Sequence, residues 1–323
     1  MPGVSPAGYM GTAPVRKEKA FNRDNAELAI LGLPVVIWFF IFSYLPMFGI
    51  VIAFKRFRPL GANLIESLIK SDWVGLYNFR FMFQSPDAWI IFRNTLGYNV
   101  IFISSGILFS VTLAIMMSLL HSKKLGKVTQ TFMFLPHFLS WVVVGYFVFS
   151  FLSVDKGLVN SIIGLFGKEP VQWYLEAGYW PPFLIFFNIW KGMGYSMVVY
   201  LATITGIDQS LYEAAAIDGA TKGQQVKNIV LPMLRPIITI MFIMAVGRIF
   251  SADFGLFFFT PRQQGALTDV TQVIDTYVYR ALMQQNNIGF ASAASVTQAI
   301  AGLITITAAN LVVRKLDPDN SLF

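Results

Sequence analysis

The sequence contains no cysteine and only two histidines, His121 and His137, among its 323 residues. The absence of cysteine excludes disulfide bonds, cysteine-ligated zinc and a thiol nucleophile, and two histidines do not support a histidine-rich metal site. Charged residues are also scarce: they make up 13% of the chain, whereas a soluble domain carries roughly 25%. Because 55% of the residues are hydrophobic and the mean hydropathy is +0.61, the composition indicates an integral membrane protein.

Six apolar stretches are long enough to cross a bilayer, which takes roughly 20 residues. They are Ala29–Phe54, Thr95–Leu120, Thr129–Leu152, Pro182–Ile204, Pro236–Phe259 and Ile288–Val313. The strands of a membrane barrel would alternate apolar and polar residues, whereas these runs are continuous. We therefore predict an all-α, polytopic bundle of six transmembrane helices.

The distribution of Lys and Arg gives the expected orientation. Residues 1–28 hold Pro and Gly before any charge, and their basic cluster precedes a span that is too long for the apolar region of a signal peptide. They are therefore predicted to be a cytoplasmic tail. With that tail inside, twelve Lys and Arg fall in inner segments and ten in outer ones, six of the ten in the loop between the first two spans. Since Lys and Arg favour the cytoplasmic side, we predict a multi-pass plasma-membrane protein with both termini, including the tail 316–323, in the cytoplasm. The net charge of +7 is thereby assigned to a membrane face and not to nucleic acid.

One inner loop, residues 205–235, contains the stretch EAAAIDGATKGQQVKNIVLP at Glu213–Pro232. Ser210 and Glu213 have the spacing of a capping box, which predicts a helix start. Gly219 can end that helix in a left-handed conformation, and a second helix is predicted from Thr221 to Val230, with Pro232 as its stop. Helix connections usually take 2–8 residues, so a loop of this length suits docking onto another protein, although an ordinary helical connector remains the alternative.

Several motifs in the sequence resemble one family of transporters. In this loop they are Glu213-Ala214-Ala215, Asp218-Gly219-Ala220 and Ile229-x-Leu231-Pro232, which resemble the cytoplasmic "EAA" loop of ABC importer permeases. DWVGLYNFRFMF at Asp72–Phe83 and RNTL at Arg93–Leu96 resemble the carbohydrate-uptake branch of that family. The motifs FLPHFLSWVVV, IWKGMGYSMVVYLA and VIDTYVYR are similar to those of permeases for oligosaccharides and polysaccharide fragments; they occupy Phe134–Val144, Ile189–Ala202 and Val273–Arg280.

The resemblance covers nearly all of the chain after residue 28 and implies the type I importer fold, with one permease domain over 29–315. It implies that the loop 205–235 forms coupling helices that seat in ATPase subunits through Glu213, Ala214, Ala215, Asp218, Gly219, Ala220, Leu231 and Pro232. Two positions depart from the family pattern. Val226 stands where a larger residue is common, and Ala252-Asp253-Phe254-Gly255 differs from the usual sequence, which leaves a role for Asp253 open.

Import against a gradient requires energy, and the chain has no G-x-x-x-x-G-K-[ST] sequence for binding a nucleotide. The resemblance implies that two separate ATP-binding subunits carry ATP and Mg²⁺, and that this chain is not itself an enzyme and binds no cofactor. It further implies a second, homologous permease as heterodimer partner, an extracytoplasmic sugar-binding protein and surrounding lipid. The expected function is ATP-driven import of an oligosaccharide by alternating access. The basic balance is compatible with uronic-acid-containing fragments.

Three other functions are weighed against this one. A secondary transporter driven by an ion gradient should show repeated halves and a carboxylate relay, and the first four spans contain no deep carboxylate. A membrane-embedded enzyme would need a cluster of catalytic residues, and the sequence shows no convincing one. An amino-acid or peptide ABC permease is disfavoured by the outer segment at Asp72–Phe83 and by the IDTYVYR sequence.

Polar residues inside the predicted spans are candidates for the transport pathway, because charge in a membrane is costly and usually faces a cavity or a partner. Lys191 lies mid-span beside Asn188, Trp190 and Tyr195, a set that suits either a sugar site or a structural polar network. No metal site is expected.

Arg248 and Asp253 are five residues apart and would point about 140° apart on one helix, so they should not form an ion pair there. Either the helix breaks near Gly247, or each side chain has its own partner, in packing or in the pathway. His137, after Pro136, is predicted to serve helix packing. A stripe of small and polar residues in the last span predicts a helix–helix face; it consists of Ala294, Gln298, Ala301, Thr305 and Ala308.

Overall fold

The computed structural model describes residues 23–59, 63–80 and 86–322. The chain divides into two compact units, Met1–Ile50 and Val51–Phe323. Most of the predicted N-terminal tail, residues 1–22, lies outside the described residues. Helix α1 (Arg23–Phe39) continues through a π-helical turn at Phe40–Tyr44 into a 3-10 helix at Leu45–Phe54.

The second unit is mostly helical. A two-residue ladder pairs β1 (Lys55–Arg56) antiparallel with β2 (Asp72–Trp73), with α2 (Leu64–Lys70) between them. The helices that follow are α3 (Pro86–Ser118), α4 (Lys123–Phe138), α5 (Trp141–Leu152), α6 (Leu158–Leu165), α7 (Trp180–Thr205), α8 (Gln209–Ile217), α9 (Lys222–Gln225), α10 (Leu231–Val246), α11 (Phe254–Phe259), α12 (Thr268–Thr271), α13 (Ile274–Met283) and α14 (Ile288–Leu316).

Five continuous helical segments among the described residues are long and apolar enough to cross a membrane. They are Glu27–Phe54, Asp87–Ser118, Ala177–Thr205, Lys222–Val246 and Ile288–Leu316. Helices α4 and α5 together form a sixth span if the bent pair is counted as one, so the predicted all-α membrane bundle is confirmed.

The third span is not the single helix predicted over Thr129–Leu152. Helices α4 and α5 meet at 96°, with Leu139 and Ser140 between them. The Ser140 hydroxyl accepts a hydrogen bond from the Val143 backbone N–H at 3.3 Å, so Ser140 caps α5 as a new helix. A local cap thus replaces the backbone bonds that a continuous helix would make at this point.

The fifth span also differs from the prediction, both at its start and at its end. The second loop helix was predicted to stop at Pro232, but it continues into the fifth span. One helical segment runs from Lys222 to Val246 through a π-helical turn at Val226–Val230. A proline lacks the N–H for a helical hydrogen bond and crowds the preceding turn, and the wider π-turn just before Pro232 accommodates both effects. At the other end the helix breaks after Val246, which confirms the break considered near Gly247, and α11 begins only at Phe254.

The predicted stripe on the last span packs against the fifth span within this chain. A Cβ atom on Gly302 of α14 would lie 2.7 Å from the Gly247 carbonyl oxygen, so only glycine fits this crossing. The Thr305 hydroxyl lies 3.4 Å from the Val246 carbonyl oxygen in the same contact. Small residues bring two backbones close together and place the break of the fifth span directly on α14.

Two buried clusters hold the second unit together. The first, around Trp180, Leu184 and Phe257, joins α3, α5, α7 and α11. The second, around Met197 and Leu234, joins α3, α7 and α10. Helices α3 and α7 belong to both clusters, and α7 packs against helices of both broken spans.

Candidate functional site

The first helix of the loop 205–235 is α8, whose N-cap is Asp208 and not the predicted Ser210. The Asp208 carboxylate accepts a hydrogen bond from the Ser210 backbone N–H at 2.9 Å, and this bond holds the pKa of Asp208 below its ordinary value. The predicted capping box at Ser210 and Glu213 is therefore wrong, because an acidic cap two residues earlier already satisfies the helix start. A capping box does form at the second helix, between Thr221 and Gln224.

Gly219 ends α8 as predicted, with a φ of +79°. The Gly219 N–H donates to the Ala216 carbonyl at 3.1 Å, and the Ala220 N–H donates to the Ala215 carbonyl at 2.8 Å. These two bonds form the Schellman arrangement that closes a helix on a left-handed residue. The turn between the two short helices therefore has a defined geometry.

The surface of α8 is open to its surroundings. Glu213, Ala214, Asp218 and Gly219 are exposed, Ala215 and Ala220 are half-buried, and the Ile217 side chain is 86% exposed. Leu231 and Pro232, where the π-turn meets α10, are also exposed. Ile217 is thus an apolar side chain left on the surface of α8.

The loop is attached firmly to the bundle despite this exposure. Tyr212 packs against the second buried cluster, and its carbonyl lies 3.4 Å from the Gln225 amide nitrogen. Arg235, the last residue of the loop, lies in α10 and forms a 3.0 Å ion pair with Asp317 of the C-terminal segment. Ordered contacts thus join α8 to the start of the fifth span.

At the break of the third span, Lys191 of α7 supplies a hydrogen-bond donor to a backbone carbonyl at the end of α4. Its ammonium group donates a 2.8 Å hydrogen bond to the His137 carbonyl, in the last turn of α4. The same nitrogen lies 5.3 Å from the centre of the Trp141 ring, within the range of a cation–π contact. Lys191 therefore stabilises the end of α4 and the start of α5 together.

The two broken spans are joined through Asp253. The indole N–H of Trp141 donates to its Oδ2 at 2.7 Å, while Oδ1 accepts from the backbone N–H groups of Gly255 and Leu256 at 2.9 and 3.3 Å. Asp253 is consequently the N-cap of α11. Arg248 is exposed and makes no ion pair with any described residue, so the two residues have separate environments, as their spacing predicted.

The other candidates on α7 do not converge on one pocket. Asn188, Lys191 and Tyr195 share a helix face by spacing, whereas Trp190 packs against the first buried cluster. The Tyr195 ring is 51% exposed and stacks on the His137 ring with centroids 4.5 Å apart. This stack agrees with the packing role predicted for His137.

Three polar residues that the sequence did not single out for the site hold the break of the fifth span. The Asn99 amide donates to the carbonyls of Ile249 and Ser251 at 2.8 and 3.2 Å. The Gln298 amide donates to the Phe250 carbonyl at 2.9 Å, and the Asp275 carboxylate accepts from the Ala252 N–H at 2.7 Å. Irregular backbone inside a membrane needs such partners, so an amide within an apolar run, such as Asn99, is the signal that could have located it.

Comparison with known proteins identifies the family. Residues 106–321 match the family described as "Binding-protein-dependent transport system inner membrane component". The chain is 34% identical to the polygalacturonan/rhamnogalacturonan transport system permease protein YteP of Bacillus subtilis (strain 168), over 89% of this chain and 88% of the relative. It is 31% identical to protein LplB of the same organism, over 93% and 92% of the two chains.

Solved structures agree with this result. A chain of a bacterial ABC transporter involved in the import of the acidic polysaccharide alginate superposes with a TM-score of 0.81 and 33% identity, over 91% of this chain and 97% of the other. The same kind of transporter, solved with an alginate pentasaccharide-bound periplasmic protein, gives a TM-score of 0.80. This chain belongs to the family of binding-protein-dependent transport system inner membrane components, the multi-pass permeases of ABC transporters.

Proposed function

We propose that this chain is one permease subunit of an ATP-driven importer that moves oligosaccharides, in particular uronic-acid-containing fragments, into the cytoplasm. The observation that carries the proposal is the similarity, over about nine-tenths of the chain, to permeases whose names specify polygalacturonan, rhamnogalacturonan and alginate. These polymers share one chemical feature, a carboxylate on a sugar ring.

The loop 205–235 is proposed to couple ATP hydrolysis to transport. Glu213, Ala214, Ala215, Asp218, Gly219, Ala220, Leu231 and Pro232 form the surface that docks into a partner ATPase. Two such subunits would bind ATP and Mg²⁺, and their closure would move α8 and, through Tyr212 and Gln225, the start of the fifth span. Because nucleotide shifts a conformational equilibrium only by binding one state better, this movement must differ between outward-open and inward-open states.

The proposed assembly contains a second, homologous permease and an extracytoplasmic sugar-binding protein, with both termini of this chain in the cytoplasm. The pathway is proposed to run past the two broken spans. Tyr195 and Arg248 expose side chains there, whereas Asn188, Trp190, Lys191 and Asp253 support its wall. Broken helices beside a substrate route are common in transporters, because their free backbone groups can face a cavity.

Co-purification tests the docking surface. Ile217→Glu places a charge at the most exposed apolar position of α8, and we expect it to abolish co-purification of the ATPase while the permease still inserts and folds. Leu165→Glu is the matched control, because Leu165 is also 86% exposed but lies in the loop after the third span. Retention of the ATPase by Ile217→Glu at the wild-type level would contradict the assignment of this surface.

A further inference from the structure

A cavity lies between α5 and α11, beyond the break of the fifth span. Its walls are Val142 and Tyr146 of α5 and Phe258 and Phe259 of α11, and the turn after α11 contributes Arg262 and Gln263. The two helices touch directly beside it, since a Cβ on Gly145 would lie 2.6 Å from the Phe259 carbonyl oxygen. With the termini in the cytoplasm, this cavity is on the extracytoplasmic half of the bundle.

The turn that closes the cavity has a strained backbone. Arg262 and Gln263 both have a φ of +53°, in the left-handed region that side chains other than Gly, Asn and Asp rarely adopt. The turn is held by the Tyr174 hydroxyl, 3.2 Å from the Thr260 carbonyl, and by the Gln264 N–H, 3.2 Å from the Pro261 carbonyl. Such strain persists only where the surroundings impose it, and it occurs preferentially at functional sites.

The side chain of Arg262 is fixed by an aromatic ring and not by an acid. Its guanidinium carbon lies 4.0 Å from the centre of the Phe149 ring, which in turn packs edge-on against Tyr174. Among the described residues no carboxylate lies within ion-pair distance of this guanidinium, and the residue is exposed. A guanidinium held over a ring without an acidic partner keeps N–H groups free for a planar anion, which a guanidinium can bind through two parallel hydrogen bonds.

The remaining lining suits a sugar ring. The Tyr146 side chain is 67% exposed, Phe258 supplies apolar surface, and the Gln263 amide can donate to and accept from hydroxyl groups. A few polar groups on an apolar wall are typical of a small-molecule site. The cavity therefore combines an anion-binding guanidinium with apolar and amide surface. These groups complement the carboxylate, the ring and the hydroxyl groups of a uronic acid unit.

We propose that this cavity is a subsite for one uronic acid unit of the transported oligosaccharide, with Arg262 binding its carboxylate and Gln263 and Tyr146 contacting its ring. The proposal rests on the proposed function, because it names the residues that select acidic over neutral fragments. It places that selection in the permease, on the extracytoplasmic side of the pathway.

The test uses the purified permease–ATPase complex in nanodiscs and two labelled probes, trigalacturonate and the same trisaccharide with its carboxyl groups reduced to alcohols. Wild type should bind the acidic probe more tightly. Arg262→Asn removes the charge while suiting the left-handed backbone, and it should weaken binding of trigalacturonate about tenfold or more while changing binding of the reduced probe less than about twofold. Arg262→Lys should fall between the two, because it keeps the charge but not the fork.

Arg56→Gln is the matched control. Arg56 is also an exposed arginine over an aromatic ring, 5.8 Å from the centre of Tyr77, but it does not line this cavity. We expect Arg56→Gln to leave the ratio of the two affinities unchanged. Equal binding of trigalacturonate by Arg262→Asn and wild type, or no preference of wild type for the acidic probe, would overturn the subsite.

ATP-driven uptake by the same preparations, reconstituted with the binding protein, separates this inference from the function on which it rests. If wild type takes up no oligosaccharide, the proposed function fails. If wild type and Arg262→Asn take up trigalacturonate with the same apparent KM, the function stands and the subsite is wrong.

Discussion

The indole of Trp141 and the carboxylate of Asp253, 112 positions apart in the chain, form a 2.7 Å hydrogen bond that joins the two broken spans. Trp141 is the first residue of α5, and Asp253 is the cap of α11. The bond therefore connects the point where the third span restarts to the point where the fifth span restarts. Both restarted helices line the cavity that contains Arg262.

Removing this carboxylate should destabilise the assembled permease. Asp253→Ala loses both the cap of α11 and the acceptor for Trp141, so we expect a loss of about 2 kcal/mol in the free energy of unfolding. Asp253→Asn keeps an acceptor and should lose less. Thermal unfolding of the purified complex measures both variants, with Asp155→Ala as the control, because Asp155 is exposed in the loop after the third span. Equal melting temperatures for Asp253→Ala and the control would contradict the capping role.

Asn99 should be needed to keep the fifth span broken in its observed form. Asn99→Leu leaves the carbonyls of Ile249 and Ser251 without their donor, and the cost of such groups is about 2 kcal/mol or more. We expect a lower melting temperature and reduced uptake. Ser104→Ala, on the same helix, is the control, because the Ser104 hydroxyl bonds within its own helix, to the Val100 carbonyl. Wild-type stability of Asn99→Leu would show that the break does not depend on this amide.

Substitutions of Lys191 test whether this residue supports the wall of the pathway or binds the sugar directly. Lys191→Met has a similar length but no donor, so it should lower the melting temperature through loss of the bond to the His137 carbonyl. Lys191→Arg keeps the charge and a donor and should retain most of the stability. In both variants we expect the apparent KM for trigalacturonate to stay within about twofold of wild type, since a lost charged contact to substrate would raise it about tenfold or more. A large rise in KM without a change in stability would make Lys191 a substrate ligand instead.

Asp275 should make the stability of the complex depend on pH. Burial raises the pKa of Asp275 and the nearby Asp253 carboxylate raises it further, against the lowering effect of bonds from Ala252 and Gln298. Because the folded pKa exceeds the unfolded one, this group's stabilisation is present below the unfolded value and is lost as pH rises through the folded value.

Asp275→Asn keeps an acceptor for the Ala252 N–H and removes the buried charge. Its melting temperature should therefore exceed that of wild type at about pH 8 by more than at about pH 5. Asp269→Asn, at an exposed position of α12, is the control. A variant that is less stable than wild type by the same amount at both pH values would show that the carboxylate charge is not destabilising.

The sequence predicts those features of the fold that depend on neighbouring residues. The fourth span begins at Trp180 and the last at Ile288, within two residues of prediction, because each start follows a local change from polar to apolar sequence. Gly219 ends α8 as expected, since only the backbone freedom of glycine is needed there.

The broken spans could not be predicted in the same way. The break after Phe138 is stabilised by Lys191, more than fifty positions away, and the break after Val246 by Asn99, Asp275 and Gln298. An apolar run gives no indication of which distant side chain will satisfy its free backbone groups. The cap of α8 differs from the prediction for another reason: Asp208 and Ser210 are both good caps two positions apart, and local propensity does not decide between them.

ATP-driven import of oligosaccharides through this permease can be measured in proteoliposomes that contain the permease pair, the ATPase and the loaded binding protein. We expect labelled trigalacturonate to accumulate inside only with ATP and Mg²⁺ on the ATPase side, and an ionophore to leave this uptake unchanged. Uptake that continues without ATP and collapses with the ionophore would rule out ATP as the energy source and identify an ion gradient instead.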